Sequence, residues 1–232
     1  MLRPFFSYYG SKWRAGGRVP PPVHRVIVEP FAGSAGYSLR YPDRQVILYD
    51  LDPVIAGIWR FLISAKESEI LSLPDLEPGQ RVDSLPVCQE AKDLIGFWCN
   101  KGSSQPANIM SKWARNPKYQ AMPCNFWGPG IRERIASQQS AIRHWMIVEG
   151  TYKHAANIKA TWYVDPPYAA MGYCYAKSSK SIDFQALGDW CKARRGQVIV
   201  CEQQGANWLP FQPFGAIKST RGTSKEVVWI KP

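Results

Sequence analysis

Two short β-branched runs restrict this chain's fold more than anything else in it. Arg25–Glu29 (RVIVE) ends at Pro30, and Gly33 and Gly36 follow at once. Val46–Asp50 (VILYD) ends the same way, and then comes Asp52-Pro53. Runs this short and this apolar read as strands buried on both faces, a property of parallel sheets. Asp52 before Pro53 is the signature of a helix start: a capping carboxylate, then a proline preset for the first turn. The helix predicted over Val54–Ala65 puts Ile55, Ile58, Trp59 and Leu62 on one face.

The same alternation continues along the chain. A short helix is expected over Gly36–Tyr41, stopped by Pro42, then helices over Cys88–Cys99 and Ile131–Arg143. Met146–Glu149, Trp162–Asp165 and Val198–Cys201 read as further strands. Ser181 is the expected cap of a helix that runs to Arg195 and stops at Gly196. Ala216–Ser219 and Val227–Ile230, split at Gly222, read as a closing hairpin. Strands alternating with helices argue for a parallel α/β sheet. The 66–144 interval is too long for one crossover, and its 72–86 and 101–129 stretches read as loop. The expected organisation is therefore a discontinuous domain, 1–68 with 145–232, and an insertion over 69–144.

Charge points to a partner. The 232 residues carry 29 Lys+Arg and 18 Asp+Glu, a formal net charge of +11. Residues 102–160 hold eight basic and two acidic side chains, so +6 of the +11 lies there, whereas 69–101 runs at −3. Trp113, Tyr119, Phe126, Trp127, Trp145 and Tyr152 are interleaved with that basic set. Cations contact phosphates and rings stack on exposed bases, so Lys112, Arg115, Lys118, Trp127 and Arg132 are the expected nucleic-acid contacts. No run approaches a membrane span, and Met1–Arg14 lacks the apolar core of a signal peptide. Six scattered cysteines form no C-x-x-C pair and lie away from the three histidines, which predicts reduced thiols in a cytosol and no metal site.

Three motifs carry chemistry. In Glu29-Pro30-Phe31-Ala32-Gly33-Ser34-Ala35-Gly36 a strand enters a Gly-x-x-Gly turn, where a ligand can approach bare backbone. Asp50, seventeen residues past Gly33 at the next strand's end, can accept from both hydroxyls of a ribose. Asp165-Pro166-Pro167-Tyr168 follows a strand. Its two prolines stiffen the turn and withhold N–H groups, so the Asp165 carboxylate and the Pro166 carbonyl form a pair of acceptors. Such a pair suits an exocyclic amine, and Tyr168 offers a face for a planar base. Phe6-Ser7-Tyr8-Tyr9-Gly10-Ser11-Lys12 reads as an aromatic strap over the core.

In this order the three motifs resemble the Dam-type DNA adenine N6-methyltransferases over nearly the whole chain. The resemblance implies a Rossmann-like S-adenosylmethionine-dependent methyltransferase sheet with helices on both faces, plus a target-recognition insertion. It implies S-adenosylmethionine as methyl donor, no metal, and duplex DNA as partner, the adenine being flipped out of the helix. Tyr8, Gly10, Lys12, Phe31, Gly33 and Gly36 would line the donor pocket, and Asp50 would bind the donor's ribose. Asp165, Pro166 and Tyr168 would hold the target adenine. A monomer or weak dimer on DNA, cytoplasmic in a bacterial or phage-infected cell, fits the compact size.

The chain departs from that pattern in three places. Thr151 stands where many relatives have an acidic residue that helps define the donor adenine. Cys201-Glu202-Gln203-Gln204 stands where relatives often carry Ser-Asn-His-Asp. The insertion lacks the base-reading pattern of a GATC-specific enzyme, so no target sequence carries over. Two other readings stand beside the first: an RNA or cytosine-N4 methyltransferase, and a DNA-binding module with a decayed donor site.

Overall fold

Strand β1 (Val26–Glu29) pairs in parallel with β2 (Gln45–Asp50) on one side and with β4 (Thr161–Val164) on the other. Outward from β2 lies β3 (Met146–Glu149), and outward from β4 lies β5 (Val198–Gln203), all parallel. The hairpin β6 (Gln212–Ser219) and β7 (Gly222–Lys231) closes the far edge, with β7 antiparallel between β5 and β6. The full order is β3-β2-β1-β4-β5-β7-β6. The computed structural model describes residues 1–13, 17–77, 79–112, 116, 126–169, 181–219 and 222–232.

Side chains alternate across this sheet as the pleat requires. Ile27, Leu48, Tyr163 and Ile199 face one hydrophobic cluster, whereas Val28, Tyr49, Trp162, Val164, Val198 and Val200 face another. The first face is covered by α1 (Pro53–Ser64), α2 (Glu67–Leu71), α3 (Gln89–Cys99) and α4 (Pro129–Gln139). The second is covered by α5 (Phe184–Ala193) with Trp208 and Leu209. The chain is thus a Rossmann-like α/β fold, a mixed sheet with helices on both faces.

Local chemistry explains most elements. Asp52 Oδ1 accepts from the Val54 N–H at 3.0 Å, capping α1 as its sequence predicts. Ile55, Ile58, Trp59 and Leu62 are fully buried, and each such side chain contributes about 1.5–3 kcal/mol. Two helix expectations are corrected. The helix over Gly36–Tyr41 is only a 3-10 turn, Ser38–Arg40. Ala35 is left-handed (φ 50°), and the Ser38 N–H is taken by Glu29 Oε1 at 2.7 Å, so no longer helix can start there. The cap of α5 is Asp183, which accepts from the Ala186 N–H, rather than Ser181. Among the described residues of the 69–144 interval, Ile70, Leu94, Phe97, Trp98, Ile131 and Ile135 share one cluster with Ile27, Leu48 and Trp59, so this stretch packs on the same core as the sheet.

Cys88, Cys99, Cys191 and Cys201 are free thiols. Among the described residues no helix is long and apolar enough to cross a membrane.

Candidate active site

The strand order reverses between β1 and β4: the chain steps outward from β1 through β2 to β3, then returns to lay β4 on β1's other side. In open α/β sheets ligands bind outside the carboxyl ends of the strands at such a switch point. A cavity of about 250 Å³ lies there. Tyr8, Gly10, Lys12, Phe31, Gly33, Gly36, Asp50 and Asp165 all line it, so residues from three separate motifs meet at one place. Pro167 also lines it; Pro166, which is buried, does not, and Tyr168 meets the site through Lys12, which stands over its ring.

One end of the cavity is built by β1 and β2. Asp50 Oδ2 accepts from the Gly33 N–H and Oδ1 from the Asp52 N–H, each at 2.9 Å. The carboxylate therefore ties the glycine turn to the end of β2 as well as facing the cavity. Burial pushes its pKa up to about 6, against the pull of those N–H groups. Gly33 sits at φ +45°, where only glycine is relaxed, and a Cβ there would lie 3.0 Å from the Tyr8 ring. Its carbonyl accepts from the Trp59 indole N–H at 2.8 Å. A Cβ on Gly36 would lie 2.6 Å from the Trp13 backbone nitrogen, so Gly36 is small to let the N-terminal segment pass. Phe31 stacks on Tyr152, centroids 5.7 Å apart.

The N-terminal segment is both strap and wall. Phe5 and Phe6 are fully buried against Trp59, and Trp98 donates its indole N–H to the Phe5 carbonyl. Beyond them the chain turns at Gly10 (φ 74°), the Ser34 hydroxyl donates to Ser11 Oγ, and Lys12 is delivered to the far end of the cavity. Lys12 was expected among the donor contacts. It lines the cavity, and its ammonium lies 3.6 Å from Asp165 Oδ1, 3.6 Å from Glu226 Oε2 and 4.5 Å above the Tyr168 ring centroid.

That far end gathers several buried titratable groups. Asp165 Oδ1 is buried and, among the described residues, accepts no hydrogen bond. Burial pushes the Asp165 carboxyl up to about 7; the Lys12 ammonium pulls it down, and the Glu226 and Glu202 carboxylates push it up again. The Tyr168 hydroxyl donates to Glu226 Oε2 at 2.5 Å. Glu202 accepts from the Ala169 N–H, the Gln203 N–H and the Trp208 indole, fastening the turn after Tyr168 to the end of β5. Glu29, at the end of β1, is buried with its pKa raised to about 8 by desolvation, against the Ser38 N–H.

Glu226 and Glu202 escaped the sequence reading. Glu202 sat inside the Cys201–Gln204 departure with no role attached, and here it anchors the Asp165–Tyr168 turn. Glu226 sits in Lys225-Glu226-Val227 and looks like an ordinary solvated strand residue, yet its side chain is 7% exposed. Thr151 lines the cavity, and its N–H donates to His154 Nδ1 at 3.1 Å.

The basic segment fares differently. Lys112 is exposed. Arg115 and Lys118 lie outside the described residues, as do Trp113 and Tyr119. Trp127 is corrected: it is 4% exposed and donates its indole N–H to the Pro74 carbonyl, so it cannot stack on a base. Arg132 is corrected too, because its guanidinium donates to the Leu73 carbonyl and pairs with Asp75 at 2.6 Å. Trp145 and Tyr152 are likewise buried. Among the described residues no group of three or more His, Cys, Asp or Glu side chains is arranged to hold a metal ion.

No family model and no curated protein sequence matches the chain. Among solved structures it has loose likenesses. One is a conserved hypothetical protein of Streptococcus pyogenes: TM-score 0.37, 12% identity, covering 89% of this chain and 86% of that one. Another is the rRNA methyltransferase AviRa from Streptomyces viridochromogenes: TM-score 0.41, 12% identity, covering 99% and 88%. At these scores neither likeness bears on function.

Proposed function

We propose that the chain is an S-adenosylmethionine-dependent methyltransferase acting on N6 of adenine in duplex DNA. The observation that carries the reading is one cavity at the switch point that both the Gly33 and the Asp165 motifs line. One wall presents the Gly33 turn and the Asp50 carboxylate, and the opposite wall presents the unsatisfied Asp165 carboxylate. The donor set fits a nucleoside: a carboxylate for the ribose hydroxyls, bare backbone at Gly33 and the Phe31 ring. These residues, with Tyr8 and Gly10, would hold S-adenosylmethionine, which supplies an electrophilic methyl group on sulfur.

The chain's own residues do the rest. Adenine N6 is a weak nucleophile, because its lone pair is conjugated with the ring. Asp165, with the Pro166 carbonyl beside it, accepts the two N–H bonds of the amine and raises electron density on nitrogen. Forming the N–C bond leaves one proton in excess on that nitrogen. The N–H bond then breaks toward Asp165 Oδ1, and the proton passes on to solvent. A carboxyl near pH 7 is suited to accept and release it. Holding both reactants in one cavity supplies much of the acceleration.

DNA as partner rests on the +11 charge, +6 of it between residues 102 and 160. The test uses the purified chain, methyl-labelled S-adenosylmethionine and duplex DNA or RNA, with nucleosides resolved by mass spectrometry. Labelled N6-methyladenine from DNA is the expected product. Labelled N4-methylcytosine, label in RNA alone, or no label at all would overturn the reading.

A further inference from the structure

Glu226 is a carboxylate that the reaction above does not use. It sits on β7 opposite Gln203 of β5 and is turned inward, toward the far end of the cavity. Lys12 Nζ stands at 3.6 Å from both its Oε2 and Asp165 Oδ1. One cation thus serves two carboxylates at equal distance. The Tyr168 hydroxyl donates to the same Glu226 oxygen, so that oxygen holds both the turn's tyrosine and the lysine. Were Lys12 paired with Asp165 alone, that carboxylate would be held ionised and its lone pairs spent on the ammonium.

We infer that Glu226 is a positioning residue: it anchors Tyr168 and draws Lys12 partly off Asp165, leaving Oδ1 open for the target amine and its proton. This rests on the reading of Asp165 as acceptor in methyl transfer. The arrangement is electrostatically simple. With both carboxylates ionised the trio of Lys12, Asp165 and Glu226 carries one net negative charge, and one proton on Asp165 neutralises it. The other groups facing Asp165 are Glu202 and Cys201 from β5, Tyr163 from β4, Glu29 from β1 and Tyr168 from the turn. Removing the Glu226 charge hands Lys12 to Asp165; removing Lys12 strands two carboxylates together.

A carbon-13 NMR titration of the Asp165 side-chain carboxyl, in the full chain without substrate, reads this directly. Glu226→Gln keeps an acceptor for the Tyr168 hydroxyl but loses the charge, and it should lower the Asp165 midpoint by about one pH unit. Lys12→Gln should raise the midpoint by a similar amount. The acid limb of kcat/KM should move in the same senses, and Glu226→Gln, which releases Lys12 to Asp165, should lower kcat about tenfold, with the charge-keeping Glu226→Asp recovering part of it. A midpoint unmoved in either Gln variant, or moved the other way, overturns the inference. Shifted midpoints in a chain that methylates no adenine overturn the proposed reaction instead.

Discussion

The two ends of the cavity treat their carboxylates in opposite ways. Asp50 has both oxygens engaged by backbone N–H groups at 2.9 Å before any ligand arrives. Asp165 has a buried oxygen that, among the described residues, accepts no hydrogen bond, beside a lysine it shares with Glu226. A carboxylate fixed by backbone donors makes a rigid binding wall. A buried carboxylate left short of donors has a raised proton affinity and a lone pair to give. Under the proposed function the difference divides the roles: the β1–β2 end would bind, and the β4–β7 end would react.

The largest effect expected from breaking this contrast is at Asp165. Asp165→Ala should lower the methyl-transfer rate by about 10²–10⁴-fold. DNA affinity should stay within about threefold, because binding rests mostly on phosphate contacts. Quenched-flow rates beside a filter-binding isotherm check both. A rate near wild type would mean the acceptor lies elsewhere.

Acidity separates the two ends next. Both carboxylates act in their ionised forms, so each function is lost as pH falls through its own pKa. For Asp165, near 7, kcat/KM should fall about tenfold per unit below that value and level off above it. For Asp50, near 6, affinity for S-adenosylmethionine should hold down to about pH 6 and fall only below it. At pH 6.5 the chain should therefore bind the donor well and transfer methyl groups slowly. Calorimetric affinities set beside a pH–rate profile would show whether the limbs part. A common midpoint would erase the distinction.

The binding end was much the more legible in the sequence. A strand, a glycine turn and an acid at the next strand's end are local patterns, and Gly33, Asp50 and the Asp52 cap sit where those patterns put them. The reacting end is assembled from distant parts. Asp165 was readable from its own tetrapeptide, but Lys12 reaches it only because Gly36 has no side chain to block the strap. Glu226 reaches it only because β7 inserts between β5 and β6. Pairing of that kind leaves no trace in Lys225-Glu226-Val227. Trp127 and Arg132 misled for a related reason: aromatic and basic residues interleave alike whether rings point outward to bases or inward to a core. What decides it is a carbonyl such as Pro74's, positioned by a loop far away in the chain.

A smaller effect is expected from the Asp50 carboxylate. Asp50→Asn keeps one acceptor oxygen but turns an N–H₂ toward the Gly33 or the Asp52 N–H. Hydrogen bonds to charged groups contribute about 1.5–3 kcal/mol. The dissociation constant for S-adenosylmethionine should therefore rise ~10–100-fold by calorimetry. The Asp165 titration midpoint should not follow, since burial, Lys12, Glu226 and Glu202 are the largest causes of its shift. A moved midpoint would mean the two ends are electrostatically coupled and the contrast is overdrawn.

The smallest effect probes the binding wall without touching a charge. Phe31 stacks on Tyr152, and Tyr152 in turn meets the edge of Trp190, so the ring is braced through two layers. Phe31→Leu keeps most of the apolar volume and removes the planar face. An aromatic contact is worth about 0.5–1.5 kcal/mol beyond its area, so donor affinity should weaken ~2–10-fold. Affinity unchanged within error would mean the donor's ring lies against Thr151 or Leu51 instead, on the part of the wall formed by the β2 and β3 ends. A loss far above tenfold would mean that Phe31 also sets the path of the Gly33 turn. In that case the binding end would depend on packing as much as on the fixed Asp50 carboxylate, and its rigidity would have a second source.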